Sequence, residues 1–599
     1  MNKATALGFR RRWAWRLAVM AWWAAGTAMA LCVVPSLSDA QALEALPAVA
    51  PVMPCAALRG LDLSETEGAP ATITDAREVG AETAAPYCRI SGYVSPQVYF
   101  EVRLPMKTWT QRVLQTGCGG LCGNLRINVE RAEGCTPANN GELVLAASDM
   151  GHRAPDGLWG RLDPQLRIDF GYRGVHVTNV IARVLVGRFY GRPPKYVYFS
   201  GCSDGGREAL MAAQRYPGDF NGIAAGAPAL NFMVQNSFYH AWNALRNTDS
   251  QGRAILTEAE LPVLHRAALE ACDALDGVKD GLISNPLRCK FDPAVVQCRA
   301  AATPPACLSA EQVRVARDLY AAAHDAKGGK LVVGGPQPGS ELAWGGVYVP
   351  RDTTSPNFSR EIAQSSVRNL YYWDPMPAGW NLPDLKFDEE TLQSFRPLHA
   401  IYDATDPDLR RFTTQGGKLL VWHGWSDPHI SPMNSIAYYT AVQKTLGTRA
   451  ASESVRLFLF PGLYHCGGGD GLFEFDILTP LMRWVESGTA PDAIVASHAP
   501  IKDERPSGAT PGRAGGPPDG APPPPTFGAP DRVRAVYPYP ATTRYSGSGS
   551  IDAAASFVKG GDEPATGAQL DWLGREFLTA GYEQDCSWVG KAFVCHAAH

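Results

Sequence analysis

The chain has 599 residues, of which 45% are hydrophobic and 19% charged, so a large core and roughly two to four domains are possible. Its formal net charge of -4 excludes the basic surface typical of nucleic-acid binding, and no block of like charge indicates an interaction tail.

The first 42 residues have the pattern of an export signal. Three arginines at positions 10–12 precede an apolar run rich in Ala, Trp, Leu and Val, and AQA at residues 40–42 offers a cleavage site. An uncleaved anchor is the alternative, but the run is short and interrupted by Gly and Pro. We therefore expect a secreted or periplasmic protein, without membrane association once residues 1–42 are removed. In an oxidising compartment most of its 14 cysteines should be paired.

Strand-like and helix-like segments alternate between residues 95 and 225. The strand-like segments are YFEVRLP, RVLQTG, GELVLAAS, KYVYFSG and FNGIAAGAP, and the helix-like segments are GVHVTNVIARVLVGRFYG and GREALMAAQRYP. This alternation predicts an α/β fold with a parallel sheet and right-handed crossovers.

The α/β pattern stops near residue 230 and resumes near residue 400. The intervening part is rich in Cys, Pro, Gly and Trp, whereas GKLLVWHGWSDP and SVRLFLFPGLYHCGGG are again strands that lead into loops. One α/β domain with an insertion explains this better than two tandem domains. We predict a catalytic domain over residues 43–228 and 401–599 and an inserted domain over 229–400. Residues 503–533 are predicted to be a flexible Pro/Gly-rich loop within the catalytic domain.

Three residues have the order and context of a hydrolytic triad. Ser203 lies in GCSDG, which matches the nucleophile-elbow pattern G-x-S-x-G between a strand and a helix. A serine nucleophile needs a base, and the base needs an orienting acid. Asp427 and His465 each follow a predicted strand, in the order Ser, acid, His of α/β-hydrolases. The alternative bases, His423 and His429, do not follow the last strand of the sheet.

Cysteines flank two of these residues: Cys202 directly precedes Ser203, and Cys466 directly follows His465. A disulfide holds two Cα atoms about 4.4–6.8 Å apart. A Cys202–Cys466 bond would therefore tie nucleophile and base together across the insertion. Two unrelated core cysteines are the alternative.

Cys202-Ser203, Asp427 and His465-Cys466 together resemble the CS-D-HC motif of the tannase and feruloyl esterase family, which includes mono(2-hydroxyethyl) terephthalate hydrolase. The resemblance extends from about Cys55 to the C-terminus. It implies an α/β-hydrolase core with a large inserted lid, and a secreted serine carboxylic ester hydrolase acting on esters of aromatic acids through an acyl-enzyme. A non-catalytic calcium-stabilised binding protein and a serine peptidase are the alternative functions.

The oxyanion of such a reaction needs two preorganised donors. One is expected to be the backbone N–H of Asp204, the residue after the nucleophile. The other is expected in the Gly-rich segment TGCGGLCG, residues 116–123, with Gly119 as the candidate and Cys118 and Gly120 as its neighbours. A phosphate-binding loop is disfavoured because the Lys-Ser/Thr ending is missing.

Residues 272–284, CDALDGVKDGLIS, are a candidate Ca²⁺ segment in the insertion. The candidate ligands are the carboxylates of Asp273, Asp276 and Asp280 and the carbonyls of Val278 and Leu282. The spacing is not that of an EF-hand, and a solvated turn is the alternative. The segment is similar to the lid calcium site of the family, which implies a structural ion.

The family resemblance and proximity in sequence together suggest four further disulfides: Cys55–Cys88, Cys272–Cys289, Cys298–Cys307 and Cys586–Cys595. Among the remaining Cys118, Cys122 and Cys135 one pair is expected, with Cys122–Cys135 as the candidate.

The insertion also supplies candidates for substrate contacts. Aromatic residues that could form a slot for a flat acyl ring are Trp344, Phe358, Tyr371, Tyr372 and Trp373. Arg360 or Arg368 could pair with the free carboxylate of a terephthalate monoester. Packing within the lid and surface exposure are the respective alternatives. The sequence does not separate galloyl, feruloyl and terephthaloyl esters, and it does not indicate the oligomeric state.

Overall fold

A computed structural model describes residues 43–598 apart from residues 126, 128, 130–131, 155, 162, 300–302, 375 and 501–527. The predicted signal segment therefore lies outside the described residues, as do residues 503–527 of the predicted flexible loop. The end of that loop differs from the prediction, because a strand begins at Arg532.

The fold is organised around a nine-stranded sheet of order β1-β2-β3-β5-β4-β6-β7-β8-β9. Its strands are β1 (Ala71–Val79), β2 (Tyr87–Val94), β3 (Val98–Pro105), β4 (Arg112–Thr116), β5 (Leu143–Ser148), β6 (Tyr196–Cys202), β7 (Gly222–Gly226), β8 (Lys418–Gly424) and β9 (Val455–Phe460). Strands β5, β4, β6, β7, β8 and β9 are parallel, as predicted. Strands β1 to β3 are instead antiparallel to their neighbours. Links of a few residues join β1 to β2 and β2 to β3, whereas a parallel pair needs a long crossover. The YFEVRLP strand, β3, also pairs antiparallel with β5, which corrects its predicted place among the parallel strands.

The smaller sheets all lie in the C-terminal part of the chain. Their strands are β10 (Glu474–Phe475), β11 (Ile494–His498), β12 (Arg532–Val536), β13 (Ala541–Tyr545), β14 (Phe557–Asp562), β15 (Gln584–Val589) and β16 (Ala592–Ala597). They form one three-stranded sheet, β10-β11-β12, and two hairpins, β13-β14 and β15-β16.

The α-helices of the sheet domain and the insertion differ in length and regularity. They are α1 (Thr136–Asn139), α2 (Pro164–Ile168), α3 (Gly174–Tyr190), α4 (Asp204–Arg215), α5 (Phe232–Val234), α6 (His240–Arg246), α7 (Leu261–Cys272), α8 (Ala310–Ala321), α9 (Phe358–Asn369), α10 (Glu389–Ser394), α11 (Arg396–Tyr402), α12 (Arg410–Thr414), α13 (Pro432–Leu446), α14 (Thr448–Ser452), α15 (Leu478–Ser487) and α16 (Gly567–Leu570). Within the described part of the chain, none has the length and hydropathy needed to cross a bilayer.

Helix α3 illustrates how the sequence determines the layers around the sheet. Val177, Ile181 and Leu185 are buried at a spacing of four residues, which places them on one face of the helix. The helix ends at Gly191, whose φ of 69° is the left-handed conformation of a C-terminal cap. The apolar face packs against the sheet and leaves the opposite face to solvent.

The insertion lies between two neighbouring parallel strands, β7 and β8, and spans residues 227–417. The insertion has a hydrophobic cluster of its own, in which Leu264, Leu319 and Trp344 are fully buried. The sequence-predicted boundary at residue 400 falls inside α11. The carboxyl ends of β6, β8 and β9 lie together in the sheet, and the loops that follow them carry the candidate triad.

Candidate active site

Ser203 sits on a sharp turn between β6 and α4. Its φ of 67° and ψ of −120° are unfavourable for a residue with a side chain, as is typical of a nucleophile elbow. The Ser203 N–H donates to the Gly226 carbonyl of β7 over 3.0 Å, which fixes the turn on the sheet. A Cβ atom at Gly201 would lie 2.6 Å from the Gly205 carbonyl oxygen, so the turn requires glycine there.

Asp427 and His465 lie in the loops that follow β8 and β9. The Nδ1 atom of His465 donates to Oδ2 of Asp427 over 2.7 Å. The other carboxylate oxygen, Oδ1, accepts the N–H groups of His429 and Ile430 over 2.8 and 3.0 Å. The carboxylate is thus held by its own loop in a position that orients the His465 ring.

His423 contacts the same carboxylate from the other side. Its Nε2 atom lies 3.2 Å from Oδ2 of Asp427, and its Nδ1 atom lies 2.8 Å from the Ser435 hydroxyl. Burial alone would raise the pKa of Asp427. The charge of His465 and the hydrogen bonds from His423 and His465 outweigh burial, so the pKa of Asp427 lies below its ordinary value. His423 therefore contacts the Asp427 carboxylate and is not among the residues that line the cavity of Ser203 and His465, a position that its place in the sequence did not indicate.

Ser203 and His465 line one cavity. Its other lining residues are Gly120, Asp204, Ala229, Phe232, Asn236, His240, Phe358, Ile362, His429 and Ile430. The ring of His429 lies 4.7 Å from the ring of His465. Burial lowers the pKa of His429 well below its usual range and the pKa of His240 to about 3, so both rings are neutral walls of the cavity.

Phe358 is the aromatic residue of the predicted slot that lines this cavity. Trp344 and Tyr371 are instead buried in packing, where their polar groups donate to the Ser340 hydroxyl and the Phe232 carbonyl. Tyr372 pairs with the Ser394 hydroxyl, and Trp373 packs edge-on against Phe593.

The two arginines considered for a carboxylate are both turned to other partners. Arg360 donates to the Thr248 hydroxyl over 2.9 Å, and Arg368 donates to the Ala378 carbonyl over 2.7 Å. Neither lines the cavity with Ser203. Phe358 and Ile362 do line it, and their spacing of four residues on α9 is the sequence signal that could have identified Ile362.

The Cys202–Cys466 bond is present, with its Cα atoms 5.8 Å apart, so Ser203 and His465 are linked through their neighbours. The other bonded pairs named from the sequence are Cys55–Cys88, Cys272–Cys289, Cys298–Cys307 and Cys586–Cys595. The expected Cys122–Cys135 bond is wrong. Cys122 is bonded to Cys118, and Cys135 is a buried free thiol.

The Gly-rich segment after β4 reaches the cavity at Gly120. Asp204, whose N–H is the other expected oxyanion donor, also lines it. Gly119 precedes the point of contact, and its carbonyl accepts the Cys122 N–H over 3.0 Å. The side chain of Asp204 forms a buried ion pair with Arg207 over 2.6 Å. Only the backbone of Asp204 is therefore available to substrate.

The candidate calcium segment is a loop wound around its own carboxylates. The two carboxylate oxygens of Asp273 accept the N–H groups of Asp280 and Gly281 over 3.1 and 3.0 Å. Asp276 accepts the Ser284 hydroxyl over 2.6 Å. Asp280 forms an ion pair of 2.6 Å with Arg534 of β12, which brings the C-terminal part of the chain against this loop.

The donor set of this loop suits a hard cation. Asp273 and Asp276 are partly buried, and no cationic side chain of the described residues stabilises their charge. In the same part of the structure, no donor is hydrogen-bonded to the carbonyls of Val278 and Leu282. Two uncompensated carboxylates and two free carbonyls are oxygen ligands of the kind that Ca²⁺ takes. The residues therefore fit the ion.

Comparison with known proteins places these residues in a wider context. A profile described as tannase and feruloyl esterase matches residues 82–559, a span that includes every residue of the candidate active site. Mono(2-hydroxyethyl) terephthalate hydrolase of Piscinibacter sakaiensis is 31% identical over 554 residues, covering 81% of this chain and 87% of that protein. Probable feruloyl esterase B-2 of Aspergillus terreus is 31% identical over 437 residues, covering 69% and 78%. The crystal structure of feruloyl esterase B from Aspergillus oryzae matches with a TM-score of 0.69 at 25% identity, covering 82% of this chain and 96% of that chain.

Proposed function

The chain belongs to the tannase and feruloyl esterase family and is a carboxylic ester hydrolase of α/β-hydrolase fold, and on that premise we propose that Ser203, His465 and Asp427 are its catalytic triad. The observation that carries this proposal is the single cavity lined by Ser203 and His465, with Asp427 hydrogen-bonded behind the His465 ring. The alternatives of a non-catalytic binding protein and a serine peptidase are not favoured by this family membership.

The proposed reaction has two acyl-transfer steps. His465 takes the hydroxyl proton of Ser203, the Ser203 oxygen attacks the ester carbonyl, and His465 returns the proton to the leaving alcohol. Water then attacks the acyl-enzyme by the same route and releases the acid. Asp427 holds Nδ1 of His465 protonated and stabilises the ring when it becomes a cation.

The negative oxygen of each tetrahedral intermediate is proposed to bind two backbone N–H groups. Asp204 supplies one of them, as the residue after the nucleophile. Residues 119–120 supply the other, because Gly120 lines the cavity beside Ser203. Preorganised donors of this kind contribute about 10²–10³ in kcat each.

The proposed acyl group is aromatic and uncharged. Phe232, Phe358 and Ile362 give the cavity apolar walls, and His240 and His429 are neutral. Among its described lining residues there is no Lys or Arg, so a terephthalate monoester would bury its free carboxylate without a partner, at a cost of several kcal/mol. Esters of the feruloyl or galloyl type are therefore expected to be better substrates than terephthalate monoesters.

Ca²⁺ is proposed as a structural ion held by the carboxylates of Asp273 and Asp276 and the carbonyls of Val278 and Leu282, whereas the Asp280 carboxylate is paired with Arg534. The ion would neutralise the carboxylates and fix the loop closed by Cys272–Cys289. Removal with EGTA is expected to lower the midpoint of thermal unfolding, and added Ca²⁺ but not Mg²⁺ should restore it. Identical melting curves with EGTA and with Ca²⁺ would contradict a calcium site.

A secreted or periplasmic location is proposed from the six disulfides within the described residues. Structural disulfides persist in oxidising compartments and are rare in the cytosol.

The test of the proposed function uses methyl ferulate, methyl gallate and mono(2-hydroxyethyl) terephthalate as substrates. Ser203→Ala should remove turnover of all three. Ser237→Ala is the matched control, because Ser237 is buried and its hydroxyl donates to the Met233 carbonyl of its own helical segment. Ester turnover that survives in Ser203→Ala would refute the triad. A preference for the terephthalate monoester would refute the uncharged acyl pocket.

A further inference from the structure

The Gly-rich segment beside the nucleophile, residues 117–123, is here called the oxyanion loop. Its first residues pack directly on the start of α4. A Cβ atom on Gly117 would lie 2.6 Å from Cα of Gly205, and a Cβ atom on Gly205 would lie 2.8 Å from the Cys118 carbonyl oxygen. The two backbones are therefore in direct contact. The position of the loop relative to Ser203 depends on the contacts that fix Cys118.

Glu208, one turn further along α4, holds Cys118. Its Oε1 atom accepts the Cys118 N–H over 3.1 Å and lies 2.7 Å from Sγ of Cys118. The same oxygen lies 3.5 Å from Sγ of Cys122, the other half of the disulfide. The side chain thus contacts both ends of the bonded pair from beneath.

Glu208 has no other task in the described structure. It is 3% exposed, and it belongs to no ion pair among the described residues. The guanidinium of Arg207 is turned to the neighbouring Asp204 and to the carbonyl oxygens of Phe170 and Gly171. Burial and the nearby Asp204 raise the pKa of Glu208 well above its ordinary value. In this position the carboxyl group is a buried hydrogen-bond acceptor for the Cys118 N–H.

The far side of the oxyanion loop is fixed separately. His152 donates from Nε2 to the Leu121 carbonyl over 2.6 Å, and the Gly123 N–H donates to the Asp149 carbonyl over 3.3 Å. The Cys118–Cys122 bond closes the short segment between the Glu208 contact and the His152 contact. Gly119 and Gly120 therefore lie on a span held at one end by Glu208 and at the other by His152.

We propose that Glu208 is a positioning residue for ester hydrolysis, which fixes the disulfide-closed oxyanion loop where the backbone N–H of residues 119–120 meets the oxyanion. The inference rests on the proposed function, because it assumes that Ser203 generates the oxyanion in this cavity. Glu208 does not touch the substrate and acts through Cys118. A displacement of about 1 Å at such a donor costs roughly 10²-fold in rate.

The first experiment compares Glu208→Gln with Glu208→Ala on methyl ferulate. Gln keeps an acceptor oxygen for the Cys118 N–H, so kcat should stay within about threefold of the wild type. Ala removes the acceptor, so kcat should fall by roughly 10²-fold with KM little changed. Gln214→Ala is the control on the same helix. Gln214 is buried and bonded to the Ala404 carbonyl and the Tyr438 hydroxyl, so its loss should lower the melting temperature without lowering kcat.

The second experiment separates loop positioning from general damage to the fold. A phenylboronic acid accepts the Ser203 oxygen on boron while the hydroxyl proton passes to His465, and one oxygen of the resulting tetrahedral anion occupies the oxyanion site. Glu208→Ala should weaken this inhibitor by about the factor lost in kcat/KM, whereas inhibition by ferulic acid should be unchanged. A Cys118→Ala/Cys122→Ala variant, which loosens the same span, should show the same split.

The outcomes distinguish the two proposals. Activity that survives in Ser203→Ala refutes the proposed function. If Ser203→Ala is inactive but Glu208→Ala keeps the wild-type kcat, the proposed function stands and the role of Glu208 is refuted. Equal weakening of the boronic acid and of ferulic acid would likewise reduce Glu208 to a general structural residue.

Discussion

The Cys202–Cys466 bond closes the longest covalent loop of the described structure, with a sequence separation of 264. In the chain-entropy model, a loop of this length restricts the unfolded chain by about 5.5 kcal/mol, even after the shorter disulfides inside it are allowed for. The Cys298–Cys307 bond, with a separation of 9, restricts it by about 2.5 kcal/mol. Replacement of each pair by alanines should therefore lower the free energy of unfolding by amounts that differ by about 3 kcal/mol.

The two variants should differ even more in activity. The bonded cysteines adjoin Ser203 and His465. Loss of the bond frees the two loops that carry these proposed triad residues to separate, so kcat should fall about 10²-fold. Cys298→Ala/Cys307→Ala should keep its kcat. Guanidinium unfolding and initial rates on methyl ferulate measure the two effects. An unchanged kcat in Cys202→Ala/Cys466→Ala, or equal losses of stability in both variants, would refute the reasoning.

Two further predictions concern buried carboxylates. Asp427→Asn keeps the shape of the group that contacts His465, but its amide can stabilise the His465 tautomer that lacks a proton on Nδ1. We therefore expect kcat to fall by about 10⁴ with KM little changed. A loss below tenfold in initial-rate assays would contradict this role. Burial raises the pKa of Asp149 from 3.8 to about 7, so the folded protein favours the protonated form of this side chain. The stabilisation of the folded state that follows is fully present below about pH 4 and is lost as the pH rises through 7. Asp149→Asn has no proton to lose, and its melting temperature should gain on the wild type between pH 5 and pH 8; a constant difference across that range would exclude the effect.

Much of the sheet domain was predictable because its segments have clear periodicity. The segment GREALMAAQRYP forms most of α4, and KYVYFSG forms β6, so the turn at Ser203 follows from the order of elements alone. The loops that carry Asp427 and His465 were equally predictable, since each follows a continuous apolar strand. The antiparallel start of the sheet was not, because strand direction depends on the length of the links between strands.

Contacts between distant segments account for what the sequence did not indicate. Cys135 was expected to pair with Cys122, but the adjacent Gly134 packs against the Phe475 carbonyl, which takes the thiol to a different neighbourhood. His423 was considered as a base, yet its Nε2 atom lies 3.2 Å from the Asp427 carboxylate, a contact that only the folded loop creates. Glu208 carries no motif, and its role depends on a segment 90 residues away in sequence.

The position of the insertion between two adjacent strands has an evolutionary consequence. The proposed triad is carried by β6, β8 and β9, whereas Phe358 and Ile362 of the cavity wall come from α9 within the insertion. Since β7 and β8 pair side by side, the connection between them can vary while the strands that carry the proposed triad keep their order in the sheet. Chimaeras that exchange residues 227–417 between relatives should therefore transfer acyl selectivity while each recipient keeps its own hydrolytic machinery.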